Sequence, residues 1–214
     1  MLPLLFAMTF ADMTSARVLR VDRGDPSAFG TITAACAAVV DGDTIRIARG
    51  TYVGGEGGEA TFIELSGVTV VIQSDTETPE DVVLEDVKLH FRDHASVDLR
   101  YLAWRATTNT AVSVVNSTAS VVRCVFANIT SAGGSGISAD QSDVLVTDCT
   151  FRDCSTPYRA GAILGSTFSI ERCEFTGNSA GESGGAIHGV GRISHCLFVG
   201  NRAHSGAAVA LSTD

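Results

Sequence analysis

Four cysteines set the terms for this chain: Cys124, Cys149, Cys173 and Cys196 recur at intervals of 25, 24 and 23 residues. Each is followed two positions on by a phenylalanine (Phe126, Phe151, Phe175, Phe198) and preceded three positions earlier by Val121, Val146, Ile170 or Ile193. Leu99, Leu102 and Trp104 carry the same spacing one unit upstream. Each unit then continues to a small-residue patch ending in an aliphatic: Gly136-Ile137, Gly161-Ala162-Ile163, Gly185-Ala186-Ile187 and Ala207-Ala208-Val209. A period near 24 residues is that of a solenoid, in which each turn of chain buries its inner face only against its neighbours.

Within Cys-x-Phe, the alternation of a strand points both side chains inward and the residues between them outward. Stacked coils then place identical side chains about 4.8 Å apart, giving a cysteine ladder and a phenylalanine ladder inside the solenoid. Ile170-x-x-Cys173-x-Phe175-x-x-Asn178 and Ile193-x-x-Cys196-x-Phe198-x-x-Asn201 also fit the first half of a leucine-rich repeat. The second halves favour the other solenoid: Ser-Ala-Gly-Glu-Ser-Gly-Gly-Ala-Ile and Ser-Thr-Pro-Tyr-Arg-Ala-Gly-Ala-Ile are glycine-punctuated short strands without a helical period. The expected fold is all-β, a right-handed parallel β-helix. With 22 glycines, 4 prolines and 7% aromatic residues, the interior is filled mainly by small and β-branched side chains, which suit stacked strands.

The amino-terminal third fits the same plan. Leu2 to Phe10 is an apolar run too short to span a bilayer, and the small residues Thr14-Ser15-Ala16 follow it, so residues 1–16 read as a secretory signal peptide. Residues 17–214 are then one β-helix domain. Asp25-Pro26-Ser27 can open a helix, and Phe29, Ile32, Ala35, Cys36 and Val39 recur at helical spacing until Asp41-Gly42, so a capping helix is expected over about 26–40. Coils occupy about 43–214: Gly42 to Ile47 alternates as a strand, Arg49-Gly50-Thr51-Tyr52 reads as a turn, and Val68 to Ile72 and Val82 to Leu84 begin later strands. Ser205 to Leu211 completes a strand with no closing cap after it, so the chain is expected to belong to a longer repeat protein or to dock its C-terminal end on a partner.

With 24 acidic against 15 basic side chains, the net charge of −9 argues against nucleic acid as a partner. No segment is long and apolar enough for a membrane span. A signal peptide would place the chain outside the cytoplasm, secreted or on a cell surface, with six cysteines in an oxidising compartment.

These residues resemble two known groups. Gly42-Asp43-Thr44-Ile45-Arg46-Ile47 with Gly50-Thr51-Tyr52, after a helix, is similar to the first coil of pectate-lyase-like right-handed β-helix proteins. The later units resemble the repeats of chlamydia-type polymorphic outer-membrane proteins, with their Phe-x-x-Asn and Gly-Gly-Ala-Ile motifs. Phe175-Thr-Gly-Asn178 and Gly184-Gly185-Ala186-Ile187 match both, Phe198-Val-Gly-Asn201 matches one, and Gly161-Ala162-Ile163 matches most of the other. Cys154 replaces the asparagine after Phe151, Asn128 arrives one position early, and Ala207 replaces a glycine. The resemblance implies the fold and an adhesin-like role for residues 18 to 214.

Several side chains could carry chemistry. The residues just before the ladder cysteines, Arg123, Asp148, Arg172 and His195, should stack as an outward column of mixed charge, either a salt-bridge ladder or a binding strip. Adding Arg152, Asp153, Glu171 and Glu174 makes a candidate cleft for an acidic sugar, with Ca²⁺ held by carboxylates and an arginine as base or clamp. β-Helix lyases resemble this in using acidic residues and an arginine on one outer sheet. Without that alternative no cofactor is expected, and cysteine spacing does not predict a metal site; buried free thiols are the simpler reading. Asn178 and Asn201 should form a stacked turn ladder, and the sequons at Asn116 and Asn128 are candidate glycosylation sites. His90, His94, His188, His195 and His204 show no Ser-His-Asp pattern, and Gly54 to Gly58 and Gly133 to Gly136 lack a P-loop lysine. The expected function is a surface or extracellular module binding a glycan or a surface protein. The alternatives are a polysaccharide lyase or glycosidase and a ligand-free structural spacer.

Overall fold

The repeat becomes a stack because every strand pairs in parallel with its counterpart one coil away. The computed structural model describes residues 15–132 and 134–211, so the signal-peptide segment falls almost wholly outside the described residues, as do the last three positions. Three faces run along the parallel β-solenoid. Face 1 comprises Val18–Val21, Thr44–Ile47, Thr69–Ser74, Ser96–Arg100 and Thr118–Val122, continued by the second halves of three long strands, Ile137–Thr147, Ile163–Glu171 and Ile187–Ser194. Face 2 is a seven-stranded sheet of short strands, from Gly50–Val53 to Leu197–Val199. Face 3 comprises Phe62–Ser66, Lys88–Arg92, Val112–Val115, the first halves of the long strands and Val209–Leu211. Faces 1 and 3 join into one twelve-stranded sheet because the long strands pass the third corner unbroken, with register shifts after Ala139 and Gly165.

The interior is a set of columns. On face 1, Leu19, Ile45, Ile72, Leu99, Val121, Val146, Ile170 and Ile193 stand in register. On face 2, Trp104, Phe126, Phe151, Phe175 and Phe198 stack with centroids 5.0, 4.6, 4.9 and 4.9 Å apart and rings within 7° of parallel. On face 3, Ile137, Ile163, Ile187 and Val209 align, as the small-residue patches predict. The glycines before these aliphatics have a steric purpose: a Cβ on Gly185 would sit 2.0 Å from the Ala207 carbonyl oxygen of the next coil.

Two N-terminal expectations need correction. The helix runs only Ile32–Ala37, capped by Thr31, whose hydroxyl accepts from Ala34 N. Asp25 spends its carboxylate on the Ser27 amide and hydroxyl instead, closing a local turn, so the helical period before Thr31 is not realised. Buried Glu59 then accepts from Ile32 N, Thr33 N and the Thr33 hydroxyl, tying the helix to a later loop. Gly50-Thr51-Tyr52, expected as a turn, is the first strand of face 2.

The corners follow one rule that the repeat only partly disclosed. Each has a residue with positive φ, and in the later coils a polar or thiol side chain follows it and closes the bend. At the first corner, Tyr101, Arg123, Asp148, Arg172 and His195 have φ between 51 and 55°. Cys124, Cys149, Cys173 and Cys196 follow them: the Cys173 amide donates to Cys196 Sγ, and that thiol reaches back to the Ile170 carbonyl. At the second corner, Gly177 and Gly200 are the left-handed residues. The Asn178 amide donates to Asn201 Oδ1, and Asn201 Nδ2 donates to the Phe175 carbonyl at 2.8 Å. Asparagine and cysteine thus perform the same operation at equivalent places. Ser117 and Ser142 repeat its accepting half at the third corner, taking the amides of Ala95 and Ser117.

The expected asparagine ladder is present, Asn178 Nδ2 donating to Asn201 Oδ1 at 2.9 Å. Asn178 is an interior cap, fully buried, and the left-handed geometry belongs to the glycine before it. Cys154 keeps the cap position, with its amide on Asn178 Oδ1 and its thiol toward the Phe126 carbonyl. Asn128, one position early in the motif, occupies the left-handed site that Asp153 and Gly177 fill in later coils. All six cysteines are free thiols.

Candidate functional site

The side chains singled out from the sequence separate into two places. Arg123, Asp148, Arg172 and His195 do stack at the first corner, exposed except for half-buried Asp148. Arg172 grips Asp148 through Nε at 2.8 Å and a second nitrogen at 3.2 Å, and contacts Glu171 at 2.5 Å. Arg172 holds the Asp148 carboxyl below the usual carboxylate range, and the same contact raises the pKa of the guanidinium. Arg123 departs from the expected ladder by turning toward Tyr101, donating to its hydroxyl at 3.1 Å with the guanidinium over the ring. Arg152 and Asp153 lie at the far end of face 2, about 10 Å or more from the first corner across a three-residue strand. Glu174 opens its face-2 strand and accepts from the Thr176 hydroxyl. The structure therefore does not gather these eight side chains into one cleft. Among the described residues, no group of three or more His, Cys, Asp or Glu side chains could hold a metal ion.

A row the sequence did not suggest crosses face 3, where Glu64, His90 and Ser113 are in register. His90 Nδ1 lies 3.0 Å from Ser113 Oγ, and Nε2 lies 3.9 Å from Glu64. Arg92 occupies the carboxylate of Glu64 at 2.8 Å, so Glu64 is poorly placed to orient the imidazole as a relay would require. Burial, and then the charge of Lys88, lowers the His90 pKa.

A concavity lies on the outer surface of face 1, a trough of about 610 Å³ across five coils. Two outward columns form it. Thr69, Ser96, Thr118, Asp143 and Thr167 make the first, and Val71, Asp98, Ser120, Leu145 and Ser169 the second. Leu145 is 44% exposed there, a large aliphatic among hydroxyls and carboxylates. Asp98 binds Arg100 through Oδ2 while its Oδ1 has no hydrogen-bond partner among the described residues. The first corner, with Arg123, Asp148 and Arg172, borders the C-terminal ends of these strands. Asn116 and Asn128 are both exposed and both left-handed, at the third and second corners.

This is the architecture of a parallel β-solenoid with a decorated outer face. Residues 172–190 match the Chlamydia polymorphic membrane protein repeat. The matched stretch runs from the left-handed Arg172 through the face-2 strand Glu174–Thr176 and the Asn178 cap to the start of the third long strand. No curated protein and no solved structure matches the chain.

Proposed function

We propose that the chain is a β-helix module of a surface or secreted protein and that the face-1 trough binds an extended glycan. The single observation behind this reading is the trough itself: hydroxyls repeat along it at the coil spacing of about 4.8 Å, flanked by carboxylates and the apolar Leu145. Side-chain hydroxyls and carboxylates suit sugar hydroxyls, and an aliphatic floor suits the apolar face of a pyranose. A protein strand would need unpaired backbone groups to add to. The trough lies across the middle of a sheet, where the ladder already uses them. The match to a surface-protein repeat supports the location, and the handedness assumed is right-handed, as in nearly all parallel crossover connections. The mixed-charge corner is the rim of this surface.

The lyase alternative draws no support from the geometry. An arginine acting as base must lose its proton readily, whereas Arg172 is held charged by Asp148 and Glu171. A screen of neutral and acidic glycans, read both for binding and for ultraviolet-absorbing cleavage products with and without Ca²⁺, tests both readings. Binding abolished by Leu145→Arg supports the trough. Cleavage lost in Arg172→Ala, or binding indifferent to Leu145→Arg, overturns it.

A further inference from the structure

A second recess, of about 470 Å³, opens where the chain crosses from face 2 to face 3 in the last coils. Its walls are one turn repeated: Arg159 pairs with Ser183, and Ser183 with Ser205, coil to coil. Glu182 and His204 come just before the two serines, and His188 enters from the start of the strand Ile187–Ser194. The recess thus presents a guanidinium, two imidazoles and two hydroxyls against one carboxylate, in a chain whose net charge is −9.

The ion pair inside it is exposed. Arg159 Nε reaches Glu182 at 3.1 Å, but the two side chains are 59% and 51% exposed, so this ion pair is weak and readily exchanged. Ser183 Oγ lies 3.0 Å from His188 Nδ1, and the Ser205 hydroxyl donates to the Glu182 carbonyl at 3.4 Å, a long contact that an anion can replace. Tyr158, 53% exposed, precedes Arg159 at the rim.

We propose that this recess is an oxyanion site, binding a sulfate, phosphate or carboxylate group between Arg159, His188 and His204, with the hydroxyls of Ser183 and Ser205 as neutral donors. A guanidinium offers two parallel N–H groups to an oxyanion, and hydroxyls complete the shell. Histidine gains its charge as pH falls below neutrality, so affinity rises in acid. Burial, and then the positive charge of Arg159, lowers the His188 pKa, while Glu182 opposes them. An anion seated on Arg159 removes that repulsion, so its binding takes up a proton. The site is independent of the trough on face 1 and stands whether or not that trough binds a glycan.

Calorimetric titration of the full chain with inorganic sulfate, a sulfated disaccharide and the same disaccharide without sulfate tests the proposal. Both sulfated probes bind and the unsulfated one does not, with affinity falling about tenfold from about pH 5.5 to about pH 7.5. Arg159→Gln weakens sulfate binding at least about tenfold, and Glu182→Gln strengthens it by freeing the guanidinium. Leu145→Arg leaves it unchanged, which separates this site from the trough. A sulfated disaccharide binding more tightly than free sulfate assigns the group to a saccharide, and equal affinities assign it to the free ion. Equal binding of the unsulfated sugar that persists in Leu145→Arg, absence of sulfate binding in acid, or indifference to Arg159→Gln overturns the proposal.

Discussion

Replacing Phe175 with alanine isolates the contribution of the aromatic column. The ring is fully buried, with Phe151 and Phe198 each 4.9 Å away and within 7° of parallel. The backbone ladder fixes the coil spacing, so the flanking rings cannot close over the gap and the cavity persists. The cost therefore belongs near the top of the range for Phe→Ala, about 4–5 kcal/mol, from lost burial, the residual cavity and two stacking contacts. Phe198→Ala removes a half-buried ring with a single stacking neighbour and should cost about half as much or less. Exposed Glu174→Ala should stay within about 0.5 kcal/mol. Urea midpoints at constant slope measure the order, and hydrogen exchange locates the effect. In a solenoid, protection should fall first in the coils around Phe151 and Phe198, since each coil is stabilised only by its neighbours. Equal midpoints for Phe175→Ala and Glu174→Ala would refute the assignment of inside and outside.

Three further expectations follow from the corners and the amino-terminal end. Asn178→Ala strands the Cys154 amide and the Phe151 carbonyl and should cost about 2–3 kcal/mol, whereas Cys154→Asn should be tolerated, because both residue types close the same bend; thermal unfolding of the pair decides this. Burial pushes the Cys36 and Cys154 thiols up to about 12, so native-state alkylation near pH 8 should mark half-exposed Cys196 ahead of them, and mass spectrometry identifying Cys154 first would contradict the interior assignment. Arg17 and backbone amides hold the buried Asp43 carboxyl far below its unfolded value of about 4, so its stabilisation is complete above about pH 5 and fades as the solution is made more acidic; acid titration of Asp43→Asn should lose that dependence in the first coil.

The interior was legible in the sequence because a two-residue alternation repeated every 24 residues has few other solutions. The cysteine, phenylalanine and aliphatic columns all lie where their spacing put them. The corners were hidden because left-handed backbone is usually signalled by glycine or asparagine, and here Tyr101, Arg123, Arg172 and His195 adopt it. Charged residues in that position looked like a surface pattern alone. The trough and the recess were hidden for another reason: each is assembled from single residues in several coils. Arg159, Ser183 and His204 mean little until the turns that carry them are superposed. The helix was overextended because Asp25 satisfied its own turn before the helical period could use it.

The caps have a direction. In the cysteine and asparagine ladders, the later coil's side chain accepts an amide from the earlier coil and reaches back to one of its carbonyls. In these two ladders a finished coil leaves an amide and a carbonyl at its corner that the cysteine or asparagine of the next coil answers. The polarity of these caps runs with the chain, each corner being closed by the coil that follows it. Such a molecule can lengthen by a unit without rearranging what has already formed, much as a crystal face advances layer by layer.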